Sequence, residues 1–312
     1  MPIGLGLACS HSPNVFLPPE EWENRYQKAI LDVPQPLAAA KETLDVCKAY
    51  AARIDIAFLT LQKKLSDYQP DVLIMVTDDH NEMYDENLCQ PSIAMFLGDT
   101  GSGALTLKGP GEDPTGAPRV EVKCDRALSE FIANGLVQRD FDIALTRTAE
   151  TKSLGPHNRG MGHGFTRTAP KIMPALDIPT VLIWLNCYFE PLPTARRCLN
   201  LGKALTEICA KRPERIAIFG TGGLSHDPRG PRAGWVDEPL DRSILAALAD
   251  GEPERLSSLF TFNSDTFHGG TGEVRNWLVV GGAMGNNKAT VVDYMAVHHI
   301  ITGVAFAYWE CA

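Results

Sequence analysis

Short apolar runs alternate with longer segments of helical periodicity along most of this 312-residue chain. Runs of this kind are typical of strands that are buried on both faces, as in a parallel sheet. They occupy residues 3–8, 72–76, 93–97, 143–145, 181–185 and 216–219.

Apolar residues recur at helical spacing in 35–65, 127–137 and 195–210. Strands that alternate with helices of this length predict an α/β fold with a mostly parallel central sheet flanked by helices. The stretch 98–118 is rich in glycine and proline, which predicts a loop or a loose hairpin rather than a linker between domains. We therefore expect residues 1–312 to form one domain.

Composition narrows the possible partners. The formal net charge is -9, and Lys and Arg form no long stripe, so nucleic acid is not an expected partner. The N-terminus has no basic leader, and the apolar runs are far shorter than the roughly 20 residues that a membrane helix requires. The 8 cysteines show no C-x-x-C pair, which fits reduced thiols. We expect a soluble, cytoplasmic protein with no membrane partner.

Three of the 8 histidines follow predicted strands directly. They are His11, His80 and His226. Ligands bind beyond the carboxyl ends of strands in open parallel sheets, so these side chains are expected to converge on one crevice. Two imidazoles and one carboxylate that leave coordination positions open are the arrangement of non-haem Fe(II) oxygenases.

Glu273 is the best candidate for that carboxylate. It follows a glycine-rich turn at the start of a predicted helix, so its side chain can point back into the crevice. The alternative is that Glu273 only favours the helix N-terminus electrostatically. Spacing alone leaves both interpretations open.

The same residues are compatible with other functions than an oxygenase. The chain lacks the G-x-S-x-G motif of serine hydrolases and the H-E-x-x-H motif of zinc peptidases. A binuclear hydrolase is possible, with metal ligands drawn from Asp78, Asp79, His80, His226 and Asp227. A scaffold or binding module, in which the histidines are structural or hold a metal without turnover, is a non-catalytic alternative.

Several motifs taken together resemble the class III extradiol dioxygenases, and within them the catalytic β subunits. The similarity covers nearly the whole chain. It rests on Ser10-His11-Ser12-Pro13, Asp79-His80, Gly162-His163-Gly164-Phe165, Ser225-His226-Asp227-Pro228, Gly272-Glu273 with Trp277, and the segment 186–198. By this resemblance, residues 1–312 form a single catalytic domain.

The resemblance also implies roles for individual residues. His11, His80 and Glu273 match the family's iron ligands, and His226 matches its catalytic base. His163 matches a second active-site histidine, which relatives carry within Asp-His-Gly. Here Gly162 replaces the acid, so the sequence does not show what polarises His163.

The implied activity is Fe(II)-dependent extradiol cleavage, in which both atoms of O2 enter the ring of a catechol-type substrate such as protocatechuate or gallate. The same iron chemistry on an aminophenol or a hydroxypyridine is an alternative. Some relatives use a small α subunit to cover the site, and this chain ends soon after its last strand-like segment. We therefore expect either a homo-oligomer or a small α-type partner subunit.

Substrate-binding residues are less closely defined by sequence. Thr302 and His268 are candidates for contact with the substrate or for orienting Glu273. Aromatic side chains that follow the first strand are candidates for the pocket wall: Phe16, Trp22 and Tyr26. His157 shares a glycine-rich loop with His163 and is expected to hydrogen-bond within that loop.

Overall fold

Strands and helices alternate along the chain in the computed structural model, which describes residues 3–87, 89–105, 118–149, 160–228 and 230–311. The strands are β1 Ile3–Cys9, β2 Val72–Asp78, β3 Ile93–Phe96, β4 Thr100–Ala104, β5 Arg119–Lys123, β6 Ala144–Thr146, β7 Thr180–Leu185, β8 Ile216–Thr221, β9 Thr290–Val297 and β10 Thr302–Glu310. The helices are α1 Trp22–Ile30, α2 Leu44–Tyr68, α3 Arg126–Val137, α4 His163–Thr166, α5 Ala169–Ile172, α6 Ala195–Cys209, α7 Glu238–Ala249 and α8 Val274–Met284.

In the described part of the chain, eight strands form one sheet in the order β6-β3-β7-β2-β8-β1-β10-β9. The four central strands, β7, β2, β8 and β1, pair in parallel. Strand β3 pairs antiparallel to β7 and parallel to β6, and β10 pairs antiparallel to both β1 and β9. The predicted α/β fold with a mostly parallel sheet is therefore confirmed. All four central strands end at the same edge of the sheet, which is where ligands bind in such folds.

Both faces of the sheet are covered, as the continuous apolar runs predicted. Alternate residues of β2 belong to different cores: Val72, Ile74 and Val76 pack with α3, α6, α7 and α8, and Leu73 and Met75 pack with α2, α4 and α5. A parallel strand buried on both sides cannot alternate apolar with polar residues. This explains why period-2 patterning is absent from the central strands.

The predicted helix over 35–65 is wrong at its start, because α2 begins at Leu44. Thr43 accepts a hydrogen bond from the Val46 backbone N–H and so caps the helix there. Pro34 and Pro36 lie in the preceding segment, which is not α-helical. The sequence pattern also missed α1, α7 and the antiparallel pair β9-β10.

The glycine-rich stretch contains a hairpin, since β4 and β5 pair antiparallel, and residues 106–117 between them lie outside the described part.

None of the helices in the described ranges combines the length and the apolar composition that a membrane crossing needs.

Helices α6 and α8 pack backbone to backbone, and two glycines permit this. A Cβ on Gly202 would lie 2.0 Å from the carbonyl oxygen of Val279, and one on Gly282 would lie 2.1 Å from the carbonyl oxygen of Leu199. Neither contact is with a flexible side chain that could move aside. The close approach brings α8, and with it the residues that precede it, firmly against the sheet.

We predict that Gly202→Ala lowers the free energy of unfolding by about 1–3 kcal/mol, because the helices must separate to admit a methyl group. Asn200→Ala, at an exposed position of the same helix, is the matched control and should change stability much less. Chemical denaturation of both variants measures the difference. Equal stability of the two variants would contradict the packing described here.

Candidate metal centre

Functional side chains gather where the parallel strands end. His11 lies just after β1, Asp78 is the last residue of β2 with His80 two residues further on, and Tyr188 lies just after β7. The turn that carries Glu273 comes from the far end of the chain. Residues that are distant in sequence therefore meet because their strands share one edge of the sheet.

The imidazoles of His11 and His80 and the carboxylate of Glu273 form a compact cluster. His11 Nε2 lies 3.4 Å from Glu273 Oε2, and His80 Nε2 lies 3.3 Å from Glu273 Oε1. Asp78 joins them, with Oδ1 3.5 Å from His11 Nε2 and Oδ2 2.8 Å from His80 Nε2. One ligand atom from each of the four residues lies within 4.8 Å of the others. The structure brings the three predicted ligands together and adds Asp78.

Glu273 is held in this position by the elements around it. It is the last residue of a 3-10 turn, Gly269–Glu273, directly before α8. At the start of α8, Asn276 Nδ2 donates to Asp78 Oδ1 at 3.1 Å and to the Thr221 carbonyl at 2.7 Å. The Glu273 carboxylate itself accepts hydrogen bonds from the Gly223 N–H and the Tyr188 hydroxyl. Glu273 makes no side-chain cap to the helix, so it faces the crevice.

The ring of His11 is oriented by two threonine hydroxyls. The Thr221 hydroxyl donates toward Thr77 Oγ1 at 2.9 Å and the Gly164 carbonyl at 3.3 Å, so Thr221 Oγ1 is left to accept from His11 Nδ1, 3.0 Å away. A proton on Nδ1 leaves the lone pair on Nε2, on the side of the carboxylates. His11 Nε2 is buried and has no hydrogen-bond partner among the described residues. A buried nitrogen without a partner is what a bound metal ion would satisfy.

The charges of the cluster also suit a cation. Burial disfavours the charged form of His80, yet the carboxylates of Asp78 and Glu273 outweigh burial and raise its pKa well above the ordinary value. Burial raises the pKa of Glu273, but the imidazoles of His226 and His11 outweigh it and hold that pKa well below the ordinary value. Positive charge is thus favoured at the point where these side chains meet. Two imidazoles with carboxylate oxygens and no thiolate fit Fe(II).

His226 contacts the Glu273 carboxylate as well. Its Nδ1 lies 3.0 Å from the Leu224 carbonyl oxygen, which can only accept, so the proton is on Nδ1. Its Nε2 lies 3.4 Å from Glu273 Oε1. The neutral ring therefore carries its lone pair on the side of the carboxylate cluster.

His163 opens α4 and lies against both candidate ligand histidines. Its ring centroid is 4.8 Å from that of His11 and 4.9 Å from that of His80. Its Nδ1 lies 2.9 Å from Glu82 Oε2. A carboxylate does contact His163, although it comes from the loop after β2 and not from the neighbouring position 162.

A cavity of about 320 Å³ opens beside the cluster, which is large enough for a single aromatic ring. Its wall includes all four histidines, Glu273, and residues from α1 and the loops around it: Ser12, Pro13, Asn14, Arg25, Lys28, Ala29, Pro228 and Ile301. The side chains of Arg25 and Lys28 are exposed and form no ion pair or hydrogen bond within the described ranges. The mouth of the cavity therefore carries two uncompensated positive charges.

Sequence reasoning named Asp78 only as a ligand of a possible binuclear centre, and it missed three other contributions to this site. Tyr188 follows the strand-end rule that identified the histidines, so that signal was present. Glu82 gave no signal, because its position depends on how the loop after β2 turns. The contribution of α1 was missed because the helix itself was not predicted.

Several predicted site residues lie elsewhere in the structure. Thr302 is fully buried and donates to the Ile300 carbonyl, while His268 is exposed and contacts Asn263 at the rim of a separate cavity. Neither residue lines the cavity beside the cluster, and their contact with a substrate stays a prediction. His157 lies outside the described residues.

The aromatic residues that were predicted to form the pocket wall do not line this cavity either. Trp22 is fully buried, Phe16 packs on Phe58, and Tyr26 packs on His299. The physical reason is that α1 turns its aromatic face to the core and its basic face to the cavity.

Two of the carboxylates considered for a binuclear centre, Asp79 and Asp227, bind backbone N–H groups and not the histidine cluster. Asp79 accepts the backbone N–H groups of Glu82, Met83 and Tyr84. Asp227 accepts the backbone N–H of Arg232. Both side chains organise loops, so the arrangement favours a single metal at the His11, His80 and Glu273 cluster.

Comparison with known families agrees with this geometry. The family model of the catalytic LigB subunit of aromatic ring-opening dioxygenases matches residues 6–308. The chain belongs to this family. The family uses non-haem Fe(II), and the cluster of His11, Asp78, His80 and Glu273 could hold a metal ion.

Curated relatives are similar at modest identity. A 2,3-dihydroxyphenylpropionate/2,3-dihydroxicinnamic acid 1,2-dioxygenase of Photorhabdus laumondii is 27% identical over 190 residues, which is 61% of this chain and 53% of that protein. The gallate dioxygenase of Pseudomonas putida is 30% identical over 167 residues, covering 52% of this chain and 46% of that protein. The chain therefore matches about half the length of these two relatives.

A 2,3-dihydroxyphenylpropionate/2,3-dihydroxicinnamic acid 1,2-dioxygenase of a Rhodococcus species is 25% identical over 305 residues, covering 80% of this chain and 88% of that protein. Among solved structures, the uncharacterized protein JW3007 from Escherichia coli K12 is similar with a TM-score of 0.52 and 12% identity. The similarity covers 98% of this chain and 100% of that one, and it shows the fold alone.

We predict that Glu273→Gln weakens Fe(II) binding by at least about 100-fold, since even partners outside the ligand set typically contribute 10- to 100-fold. Affinity should also fall as pH is lowered, because protons compete with the metal for His11 and His80, whose pKa values are raised. Anaerobic chelator competition at two pH values measures both effects. Glu254→Gln, at an exposed position, is the control, and equal affinities of the two variants would contradict this assignment.

Proposed function

We propose that the protein is an extradiol dioxygenase in which His11, His80 and Glu273 hold one Fe(II). The observation that carries the proposal is the convergence of these three side chains, with two further histidines, on one ring-sized cavity. Membership of the ring-opening dioxygenase family supports it independently. Bound at this cluster, Fe(II) would supply the electronic link between a catechol-type substrate and O2.

His226 is suited to be the catalytic base of this reaction. The Leu224 carbonyl fixes the proton on Nδ1, so Nε2 can accept a proton from a substrate hydroxyl. His163 lies against the rings of His11 and His80. In this position it is suited to hydrogen-bond the substrate or to return a proton as the ring opens.

The substrate class that fits the cavity best is a catechol with an anionic substituent. Arg25 and Lys28 lie in the cavity wall, while Ala29, Pro228 and Ile301 supply apolar surface for a ring. A ring whose two hydroxyls face the histidines can extend a carboxylate toward the two cations. The substrates named for the similar proteins, gallate and dihydroxyphenylpropionate, are aromatic carboxylates.

Turnover is the direct test of the activity. Anaerobically Fe(II)-loaded protein should consume O2 and form a visible ring-opened chromophore with at least one member of a panel of protocatechuate, gallate, dihydroxyphenylpropionate, catechol and 2-aminophenol. His226→Ala should retain iron but lose about 10²- to 10⁴-fold in kcat, because a base for the hydroxyl proton is missing.

The matched controls for turnover are Glu273→Ala, which should lose both iron and activity, and Glu254→Ala, which should lose neither. An absence of O2 uptake by fully iron-loaded protein across the panel would contradict the proposed activity. Preferential turnover of 2-aminophenol would support the proposed iron chemistry but would show that the substrate is an aminophenol and not a catechol.

The substrate class has its own test. The double variant Arg25→Gln/Lys28→Gln should raise KM for carboxylated catechols about 10-fold or more while leaving KM for unsubstituted catechol unchanged. The reason is that only the carboxylate faces these cations. Lys123→Gln, at an exposed position of strand β5, is the control. An equal increase in KM for both substrates would show that the two residues do not select the carboxylate.

A further inference from the structure

We propose that Glu82 is the positioning residue for His163, and that Gly162 is a glycine because the Glu82 carboxylate occupies the space of its side chain. The inference rests on the proposed function in so far as His163 acts in ring cleavage. The contact between Glu82 and His163 stands on geometry alone and can be tested separately.

One carboxylate oxygen fixes His163 at two points. Glu82 Oε2 accepts from the His163 backbone N–H at 3.0 Å and lies 2.9 Å from His163 Nδ1. Both side chains are buried, Glu82 at 3% and His163 at 5% exposure. A carboxylate that binds both the main chain and the ring of one residue fixes the direction of that ring as well as its place.

Glu82 is itself held by the loop after β2. The carboxylate of Asp79 accepts the backbone N–H groups of three consecutive residues, with Met83 at 2.8 Å. This turn carries the chain from His80 to Glu82 and aims the Glu82 side chain at α4. The same short segment therefore supplies a candidate iron ligand and the partner of His163.

The Glu82 carboxylate also occupies the space beside Gly162. A Cβ on Gly162 would lie 2.4 Å from Glu82 Oε2, far closer than atoms in contact can approach. The backbone of Gly162 has φ -67° and ψ 173°, a conformation open to any residue. The backbone therefore does not require glycine here, and the requirement comes from Glu82. A side chain at position 162 would displace the Glu82 carboxylate, so an acid there and the present contact between Glu82 and His163 are incompatible.

The chemical consequence is a fixed tautomer. A carboxylate accepts only, so the proton of neutral His163 is on Nδ1 and its lone pair is on Nε2. The same Glu82 oxygen accepts from the His163 backbone N–H, so it presents lone pairs to both groups. An alanine at position 82 would remove the acceptor from Nδ1 and leave both tautomers of His163 available.

A four-member cycle tests the pairing: wild type, Glu82→Ala, Gly162→Asp and the double variant Glu82→Ala/Gly162→Asp. We expect each single change to lower kcat about 10- to 100-fold, the first through loss of the carboxylate and the second through collision with it. The double variant should recover most of the loss, because the new acid enters the space that Glu82 has left. Glu121→Ala, an exposed change on β5, is the control.

A double variant no more active than the worse single variant would overturn the proposal, as would a Glu82→Ala variant with wild-type kcat. Iron content and the thermal midpoint of each variant separate lost folding from lost orientation.

A second readout does not depend on turnover. In histidine-¹⁵N-labelled, Zn(II)-loaded wild type, His163 should show a protonated Nδ1, and in Glu82→Ala that tautomer should no longer be fixed, so that part of the population carries the proton on Nε2. An unchanged tautomer would overturn the role of Glu82 even if catalysis were lost. Wild-type protein with the expected tautomer but no ring cleavage would instead refute the proposed function and leave this pairing intact.

Discussion

Two carboxylates, Asp78 and Glu273, are buried within a few ångströms of the same two imidazoles, and the rest of the site compensates this charge. Removing a carboxylate from water costs several kcal/mol unless donors and positive charge replace the water. The chain provides donors from the Gly223 backbone, the Tyr188 hydroxyl and the Asn276 amide. A divalent cation is the remaining positive charge that such a cluster favours.

This requirement accounts for the way the four central strands and α8 are joined. Asn276 at the start of α8 binds both the last residue of β2 and the Thr221 carbonyl at the end of β8. The helix that delivers Glu273 is therefore fixed to β2, which leads to His80, and to β8, which leads to His226. Glycines between α6 and α8 let that helix lie close. Stability and ligand geometry thus depend on the same contacts.

Sequence reasoning succeeded where one rule of topology was enough. Continuous apolar runs identified the central strands, and the residues after them included His11, His80 and His226. Glu273 was left undecided because its direction depends on how α8 is anchored, which involves residues almost two hundred positions away in the chain.

The roles of Glu82 and of the basic face of α1 could not be predicted from the sequence, for a related reason. Contact between Glu82 and His163 joins loops 81 positions apart, and no periodicity records it. On α1, sequence reasoning favoured the aromatic residues, yet Trp22 and Tyr26 are the part of the helix that is buried. Hydrophobic side chains enter the core, so the face left for the cavity was the charged one.

The central proposal is that His11, His80 and Glu273 hold Fe(II) and that both atoms of O2 enter the aromatic ring of the substrate. Isotope labelling tests it most directly: Fe(II)-loaded protein turns over a carboxylated catechol under ¹⁸O₂, and mass spectrometry counts the labelled atoms in the product. The account predicts a ring-opened product with two labelled oxygens, allowing for exchange of the aldehyde oxygen with water. A ring-opened product without label from O2, or oxidation of the catechol without ring opening, would contradict it.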